Sequence, residues 1–208
     1  MRGIYAVLLT ILILTSTILP LVDAADTVTT GDAAMSGTVV LDGNYTVSAG
    51  DTLTIAAGTT LDAKNYWILV EGSLVVTDAT ISSSTPGSGQ GGTSAGVWDG
   101  IIIAPDGDVV LDGVTISDGH ANGASFEATG AGIYINYGSN TPIIRNCTLE
   151  NNVANAGAAM LARYGSIAAT VTLKNTIFRK NMANLGAGYL GVTNGVTTFN
   201  VNVTNCLF

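Results

Sequence analysis

The chain repeats Asn146-Cys147-Thr148-Leu149 twice more, as Asn175-Thr176-Ile177-Phe178 and as Asn205-Cys206-Leu207-Phe208. The leading asparagines are 29 and 30 residues apart. A second marker keeps the same spacing, because Gly157-Ala158-Ala159-Met160-Leu161 returns as Gly186-Ala187-Gly188-Tyr189-Leu190. A fixed period of this length is typical of a solenoid, whose repeats bury their apolar faces against their neighbours.

Composition and strand pattern favour one all-β domain. The 208 residues include 26 glycines, and only 11% of the residues are charged. Short runs of β-branched or alternating residues, each followed by a turn, begin early: Thr38–Leu41, Tyr45–Val47, Asp51–Ile55 and Trp67–Val70. Strands this short suit a parallel β-helix, in which successive turns stack in register.

One low-complexity segment interrupts the strands. Ser82–Gly96 lacks the apolar residues needed to pack, so we expect a flexible excursion from one turn, with a linker between two domains as the alternative. After it, Asp108–Ser117 resembles Leu74–Ser82 with one residue inserted. That alignment pairs Asp112 with Asp78 and assigns both to a turn.

The first 25 residues have the features of a targeting signal. Arg2 supplies a positive start, Ile4–Val22 is almost wholly apolar, and small residues up to Ala25 offer a cleavage site. We therefore expect residues 1–25 to be a signal peptide and residues 26–208 to be a secreted or cell-surface domain. The alternative is an uncleaved segment that anchors the chain in a membrane, because the apolar run is long enough to span one.

Charge is distributed unevenly along the chain. The formal net charge is −8, yet five of the seven bases follow residue 144, where Glu150 is the only acid. Bases spread over several repeats do not form the dense phosphate footprint of a nucleic-acid-binding protein, so that class is excluded. We predict that Arg145, Lys174, Arg179 and Lys180 form a ligand-binding patch for an acidic glycan. The alternative is a set of solvated side chains.

The two cysteines, Cys147 and Cys206, are predicted to be free and buried. They occupy equivalent positions two repeats apart, and strands about 4.8 Å apart would separate them by roughly 9.6 Å. A disulfide needs Cα atoms closer than about 7 Å. No disulfide is therefore expected, even in an exported protein.

Several segments carry a family resemblance. The short strands and the entry Trp98-Asp99-Gly100-Ile101-Ile102 resemble right-handed parallel β-helix proteins of the pectate-lyase-like superfamily, over residues 36–208. This resemblance implies a fold of the all-β class, a single-stranded right-handed parallel β-helix, and we expect the N-terminal signal to precede it as a helix. Such folds host both adhesins and polysaccharide-cleaving enzymes.

The repeats have a narrower resemblance over residues 113–208. They are similar to those of chlamydial-type polymorphic outer membrane proteins, which pair a Gly-Gly-Ala-aliphatic tetrad with Phe-x-x-Asn. Phe178-Arg179-Lys180-Asn181 matches the second motif fully, Leu149–Asn152 has Leu for Phe, and Ile116–Gly119 departs at both ends. No tetrad is perfect. The resemblance implies a surface protein.

The repeated residues have a structural explanation that needs no catalysis. The asparagine amides are expected to stack at one bend, each bonding to the next turn. Phe178 is expected to continue an internal apolar column, and the glycines let backbones approach at a corner. The residues assigned to structure are Asn146, Asn175, Asn205, Gly157, Gly186 and Phe178.

The candidates for chemistry are few. Asp118 and His120 are the catalytic candidates, in the polar loop Asp118–Thr129, but no third group completes a nucleophile or metal set. Asp106 and Asp108 are the metal candidates, although two oxygen ligands are too few for calcium without neighbouring turns. We predict no catalytic residue, no metal and no cofactor, with calcium as the alternative.

These observations predict a secreted or cell-surface adhesion or scaffold module without catalysis of its own, whose partner is a glycan or a protein. The alternative is a polysaccharide lyase or glycoside hydrolase acting on an acidic glycan. Three or more acids with a base on one sheet face would favour the enzyme, whereas a face of Thr, Asn and Ser with scattered charge would favour the module. Because no polar cap follows Phe208, we expect an exposed end, a partner or a continuation of the chain.

Overall fold

The computed structural model describes residues 26–85, 100–121, 130–136, 141–164, 169–193 and 199–208. These segments consist of strands, turns and bends. Nothing helical within them has the length and apolar character that crossing a membrane requires. The predicted signal peptide and most of the predicted excursion at Ser82–Gly96 lie outside the described residues.

The strands form four sheets, and each strand is hydrogen-bonded to strands of its own sheet. The first sheet contains β1 (Thr27–Val28), β4 (Tyr45–Val47), β7 (Ile68–Val70), β10 (Ile101–Ile103), β14 (Ile133–Asn136), β18 (Met160–Tyr164) and β22 (Tyr189–Thr193). The second contains β2 (Ala33–Met35), β5 (Thr52–Ile55), β8 (Ser73–Thr77), β11 (Asp108–Asp112), β15 (Ile143–Arg145), β19 (Ala169–Lys174) and β23 (Phe199–Thr204).

The third and fourth sheets complete the coil. The third contains β3 (Thr38–Val40), β6 (Thr60–Asp62), β9 (Thr80–Ser82), β12 (Thr115–Ser117), β16 (Thr148–Glu150) and β20 (Ile177–Arg179). The fourth contains β13 (His120–Ala121), β17 (Val153–Ala156) and β21 (Met182–Leu185). His120 thus lies in a short strand paired with β17, so its assignment to a polar loop was wrong.

All strand pairs are parallel, and strands that follow one another in the chain belong to successive sheets. The chain therefore coils, adding one strand to each of the first three sheets per turn and, from β13 onward, one to the fourth as well. This arrangement is a parallel β-helix and confirms the predicted all-β class.

Columns of aliphatic side chains fill the interior, with one residue from each turn. Ile68, Ile101 and Ile133 are in register and fully buried in the first sheet. Leu149 pairs with Phe178 in the third sheet, and both are buried. Burying one such side chain is worth about 1.5–3 kcal/mol, and in a solenoid most of that burial comes from the turns above and below.

The repeated asparagines lie at the bend between the second and third sheets. Asn146, Asn175 and Asn205 all have left-handed backbones, with φ of 56°, 50° and 51°. Asparagine adopts this conformation more readily than other residues with a Cβ atom. The Nδ2 of Asn175 donates to Oδ1 of Asn146, and that of Asn205 to Oδ1 of Asn175, each at 3.0 Å. The amides thus form a ladder that links successive turns.

The strand register corrects one alignment. Asp112 pairs with Thr77 and not with Asp78, and no residue is inserted between the two segments. Gly113 shares the bend position of Asp78, and both have positive φ. The predicted alignment was wrong because it matched Asp112-Gly113 to Asp78-Ala79. The register is set instead by the alternation of buried residues in β8 and β11.

The two cysteines occupy equivalent positions two turns apart, with Thr176 between them. Each of the three side chains donates to the carbonyl oxygen two residues earlier, at 3.0 Å for Cys147, 3.0 Å for Thr176 and 3.4 Å for Cys206. Both thiols are free. Cys147 is buried as predicted, but Cys206 is half-buried because no further described turn stacks upon it.

Candidate functional site

The four predicted ligand-binding bases lie in two places on the outer surface. Arg145 and Lys174 are in register at the C-terminal ends of β15 and β19, in the second sheet. Arg179 ends β20 in the third sheet, and Lys180 follows it at the next bend. All four are exposed.

Two of these bases are paired with carboxylates from the preceding turn. Nε of Arg145 lies 2.9 Å from Oδ2 of Asp112, and Nε of Arg179 lies 2.6 Å from Oε2 of Glu150. The hydrogen bond from Asn146 and the charge of Arg145 hold the pKa of Asp112 below its usual range, whereas Glu150 raises the pKa of Arg179. Solvent screens both pairs, so they contribute little to stability.

The other two bases have no carboxylate partner among the described residues. Lys174 is placed directly beside Arg145, and like charges in register repel each other. Lys180 has φ of 55°, at the bend position that Asn151 and Asp118 occupy in earlier turns. This left-handed backbone costs about 1–2 kcal/mol for a residue with a Cβ atom. Because neither lysine has a carboxylate partner among the described residues, the charges of Lys174 and Lys180 remain available to an anion.

Neutral polar side chains share the outer face of the last two strands of the second sheet with Lys174. They belong to β19 and β23 and point outward, because the buried or inward residues of these strands alternate with them. Their hydroxyl and amide groups form no side-chain hydrogen bond within the described part of the chain. These residues are Thr170, Thr172, Asn200, Asn202 and Thr204. The face can therefore offer hydrogen bonds to a ligand without breaking internal ones.

The two catalytic candidates do not act on each other. Asp118 accepts a hydrogen bond from Ser117 Oγ at 2.7 Å, and no bond joins it to His120. His120 is 2% exposed, and neither ring nitrogen has a hydrogen-bond partner among the residues that the structure describes. A general base needs such a partner or a bound substrate within reach, so the structure assembles no acid–base pair here.

The two metal candidates lie in a wider acidic cleft. Asp106 and Asp108 line a space of about 470 Å³ together with Asp51 and Glu71, at the bend between the first and second sheets. Asp51 already accepts hydrogen bonds from Thr29 Oγ1 and the Gly31 amide. Within the described ranges, no three His, Cys, Asp or Glu side chains are grouped to hold a metal ion.

The Phe-x-x-Asn motif has a structural role at the bend between the third and fourth sheets. Oδ1 of Asn152 accepts from the Gly119 amide at 2.9 Å, and its Nδ2 donates to Oδ1 of Asn181 at 3.0 Å. Nδ2 of Asn181 donates in turn to the Leu149 carbonyl at 2.9 Å. A Cβ atom at Gly119 would clash with the carbonyl oxygen of Ala131, so glycine and not asparagine fits at that position of the motif.

Sequence reasoning missed two groupings. Glu71 and Asp51 were not linked to Asp106, because turns of unequal length before residue 141 hide their common position. The pairing of Asp112 with Arg145 was missed because Asp112 had been aligned with Asp78. A register based on the buried residues of each strand would have found both.

Comparison with known proteins gives one result. The sequence matches the family model described as a right handed beta helix region, over residues 32–208. It matches no curated protein and no solved structure. Since the family match covers most of the chain and the strands stack in parallel turns throughout the described segments, the protein belongs to the right-handed β-helix family.

Proposed function

We propose that the chain is a non-catalytic adhesion or scaffold module at a cell surface or in the extracellular space. The observation that carries this proposal is the outer face of β19 and β23, where hydroxyls and amides that form no internal hydrogen bond among the described residues lie on the same surface as Lys174. A polar face with scattered charge suits the recognition of a sugar or a protein, since it can exchange water for ligand hydrogen bonds at little cost. The predicted N-terminal signal and the resemblance to surface-protein repeats support the location.

The charged residues of the repeats support a binding role over a catalytic one. Asp112 and Glu150 are engaged by arginines of the next turn, and Asp118 is engaged by Ser117. These carboxylates already accept hydrogen bonds from neighbouring side chains, so they are poorly placed to exchange protons with a substrate.

An acidic glycan is the ligand class that these residues fit best. Arg145, Lys174, Arg179 and Lys180 would contact its carboxylate or sulfate groups, and the neighbouring threonines and asparagines would contact its hydroxyls. The turns before residue 122 carry many acids and a single base, Lys64, so they would repel an acidic glycan. The glycan would therefore bind the later turns.

A second candidate function has one observation in its favour. The cleft between the first two sheets brings together Asp51, Glu71, Asp106 and Asp108. A glycoside hydrolase needs two carboxyl groups on either side of the scissile bond, and this cleft could supply them. A polysaccharide lyase or hydrolase acting there is therefore the alternative.

A paired binding and turnover experiment separates the two proposals. Residues 26–208, the predicted secreted form, are applied to an array of acidic and neutral glycans. The same protein is incubated with the acidic polysaccharides, and the release of reducing ends and of unsaturated products is measured. We expect binding without turnover, weakened by Lys174→Gln and Lys180→Gln but unaffected by the control Lys64→Gln. Turnover that disappears in Asp106→Asn, Asp118→Asn or His120→Ala would overturn the non-catalytic proposal.

A further inference from the structure

Three charged side chains follow one another in one register column on the second sheet. Asp112 of β11 is paired in register with Arg145 of β15, which is paired in turn with Lys174 of β19. Nε of Arg145 lies 2.9 Å from Oδ2 of Asp112, so this acid offsets one of the two bases. The first charge cluster, defined as Asp112, Arg145 and Lys174, therefore carries a net single positive charge.

A second charge cluster repeats this balance on the third sheet. It is defined as Glu150, Arg179 and Lys180, and Nε of Arg179 lies 2.6 Å from Oε2 of Glu150. One acid again offsets one of two bases, and Lys180 supplies the remaining charge. The Asn175 bend and the three residues of β20, or about 10 Å of strand, separate Lys174 from Lys180 along the chain.

The surroundings of Lys174 are neutral on one side and acidic on the other. Along its own strand and in the next turn lie hydroxyl and amide groups that form no side-chain hydrogen bond within the described segments. These groups belong to Thr170, Thr172, Asn200, Asn202 and Thr204. Toward the earlier turns, the column leads past Arg145 to Asp112. An anionic chain is thus repelled toward the earlier turns and meets neutral hydrogen-bonding groups elsewhere on this face.

We propose that the two charge clusters select glycans whose acidic groups are isolated by neutral sugars, in preference to dense polyanions. Resting on the proposed glycan-binding function, this selectivity narrows the ligand class. One carboxylate balances the net charge of one cluster, and the neutral groups of β19 and β23 bind the uncharged sugars beside it. Because β20 separates the clusters, two acidic groups of one chain reach both lysines when neutral sugar lies between them.

The position of Asp112 explains why a second adjacent anion is disfavoured. An anion at Lys174 lies two strand spacings, or roughly 9.6 Å, from Asp112, and salt screens most of the repulsion over that distance. An anion placed over Arg145 would lie beside the carboxylate that this arginine already contacts, where screening is slight. Surfaces that bind dense polyanions present clustered bases, whereas this chain carries a net charge of −8.

Isothermal titration calorimetry of residues 26–208 with polysaccharide fragments of matched length tests this selectivity. Hyaluronan has a carboxylate on alternate sugars, polygalacturonate has one on every sugar, heparin is densely sulfated and dextran is neutral. We expect hyaluronan fragments to bind about threefold or more tightly than polygalacturonate and heparin fragments, and about tenfold more tightly than dextran. Lys174→Gln should weaken hyaluronan binding about tenfold, whereas Lys174→Arg should keep it within about threefold of the wild type.

The variant Asp112→Asn tests the charge balance itself. Without this acid, Arg145 becomes a second unbalanced base, so the affinity for heparin relative to hyaluronan should rise about threefold or more. Asp42→Asn makes the same charge change at an exposed position of the early turns and is the control.

The outcomes separate this selectivity from the proposed function. Wild-type protein that binds heparin or polygalacturonate more tightly than hyaluronan would overturn the selectivity and leave acidic-glycan binding intact. An unchanged ratio of heparin to hyaluronan affinity in Asp112→Asn would do the same. A wild type that binds none of these polysaccharides would overturn both.

Discussion

Asn152→Ala should lower the free energy of unfolding by about 3 kcal/mol. The side chain of Asn152 is fully buried and connects three successive turns. Its Oδ1 accepts from the Gly119 amide at 2.9 Å, and its Nδ2 donates to Oδ1 of Asn181 at 3.0 Å and to the Ile116 carbonyl at 3.4 Å. Alanine removes all three bonds at once.

The expected magnitude follows from which groups lose their partner. The buried Gly119 amide would be left without an acceptor, at a cost of about 1–3 kcal/mol. The bond to Asn181 adds about 1 kcal/mol, since Oδ1 of Asn181 keeps the backbone amide of residue 152 as a donor at 3.0 Å. The long bond to Ile116 adds little, because hydrogen bonds weaken with distance.

Urea unfolding followed by circular dichroism measures this loss, and Asn155→Ala is the matched control. Asn155 is exposed and accepts a bond from Nδ2 of Asn184 at 2.8 Å, so its replacement should cost less than about 1 kcal/mol. The denaturant slope must stay constant for the comparison to hold, because turns of a solenoid can unfold separately. Equal losses in the two variants would refute the claim that the buried amide links the turns.

Three further outcomes are expected from bends and charges. Lys180→Asn should stabilise the protein by about 0.5–1 kcal/mol in urea unfolding, because asparagine tolerates the left-handed backbone better, and an unchanged midpoint would contradict this. The lowered pKa of Asp112, caused first by the hydrogen bond from Asn146, gives stability that is present above about pH 3.9 and is lost as the pH falls through the folded-state pKa. Because solvent screens the pair, Asp112→Asn should reduce only slightly the fall of the urea midpoint between about pH 5 and pH 2, and a steeper fall in this variant would argue against it. Burial raises the pKa of Cys147 to about 11, so iodoacetamide at about pH 8 should label the half-buried Cys206 and spare Cys147, as mass spectrometry of the native protein would show.

Much of the fold could be predicted because the last turns are nearly equal in length. A constant spacing of Asn146, Asn175 and Asn205 makes the register of those turns visible without coordinates. Short apolar runs such as Tyr45–Val47 and Ile68–Val70 are also recognisable as strands, because their β-branched residues are bounded by turn residues.

Unequal turns before residue 141 concealed the rest. His120 looked like part of a loop, because its strand has two residues and follows a glycine. The acidic cleft draws residues from turns of different lengths, so no single period brings Asp51 near Asp106. Charge pairing across turns also depends on register, and an error of one residue at Asp112 was enough to hide its contact with Arg145.

The outer faces of this β-helix are where function is most free to vary. Inward positions must stay apolar to stack, and the bends are committed to asparagine ladders and left-handed backbones. In a solenoid, residues that come early in the chain lie in the early turns. Here most acids lie in the early turns and most bases in the late ones, although stacking does not require this separation. Apart from the pairs of Asp112 with Arg145 and of Glu150 with Arg179, this separation places the acids several turns from the bases, where solvent screens their attraction. We expect its benefit to come from outside the chain, from an anionic ligand on the later turns.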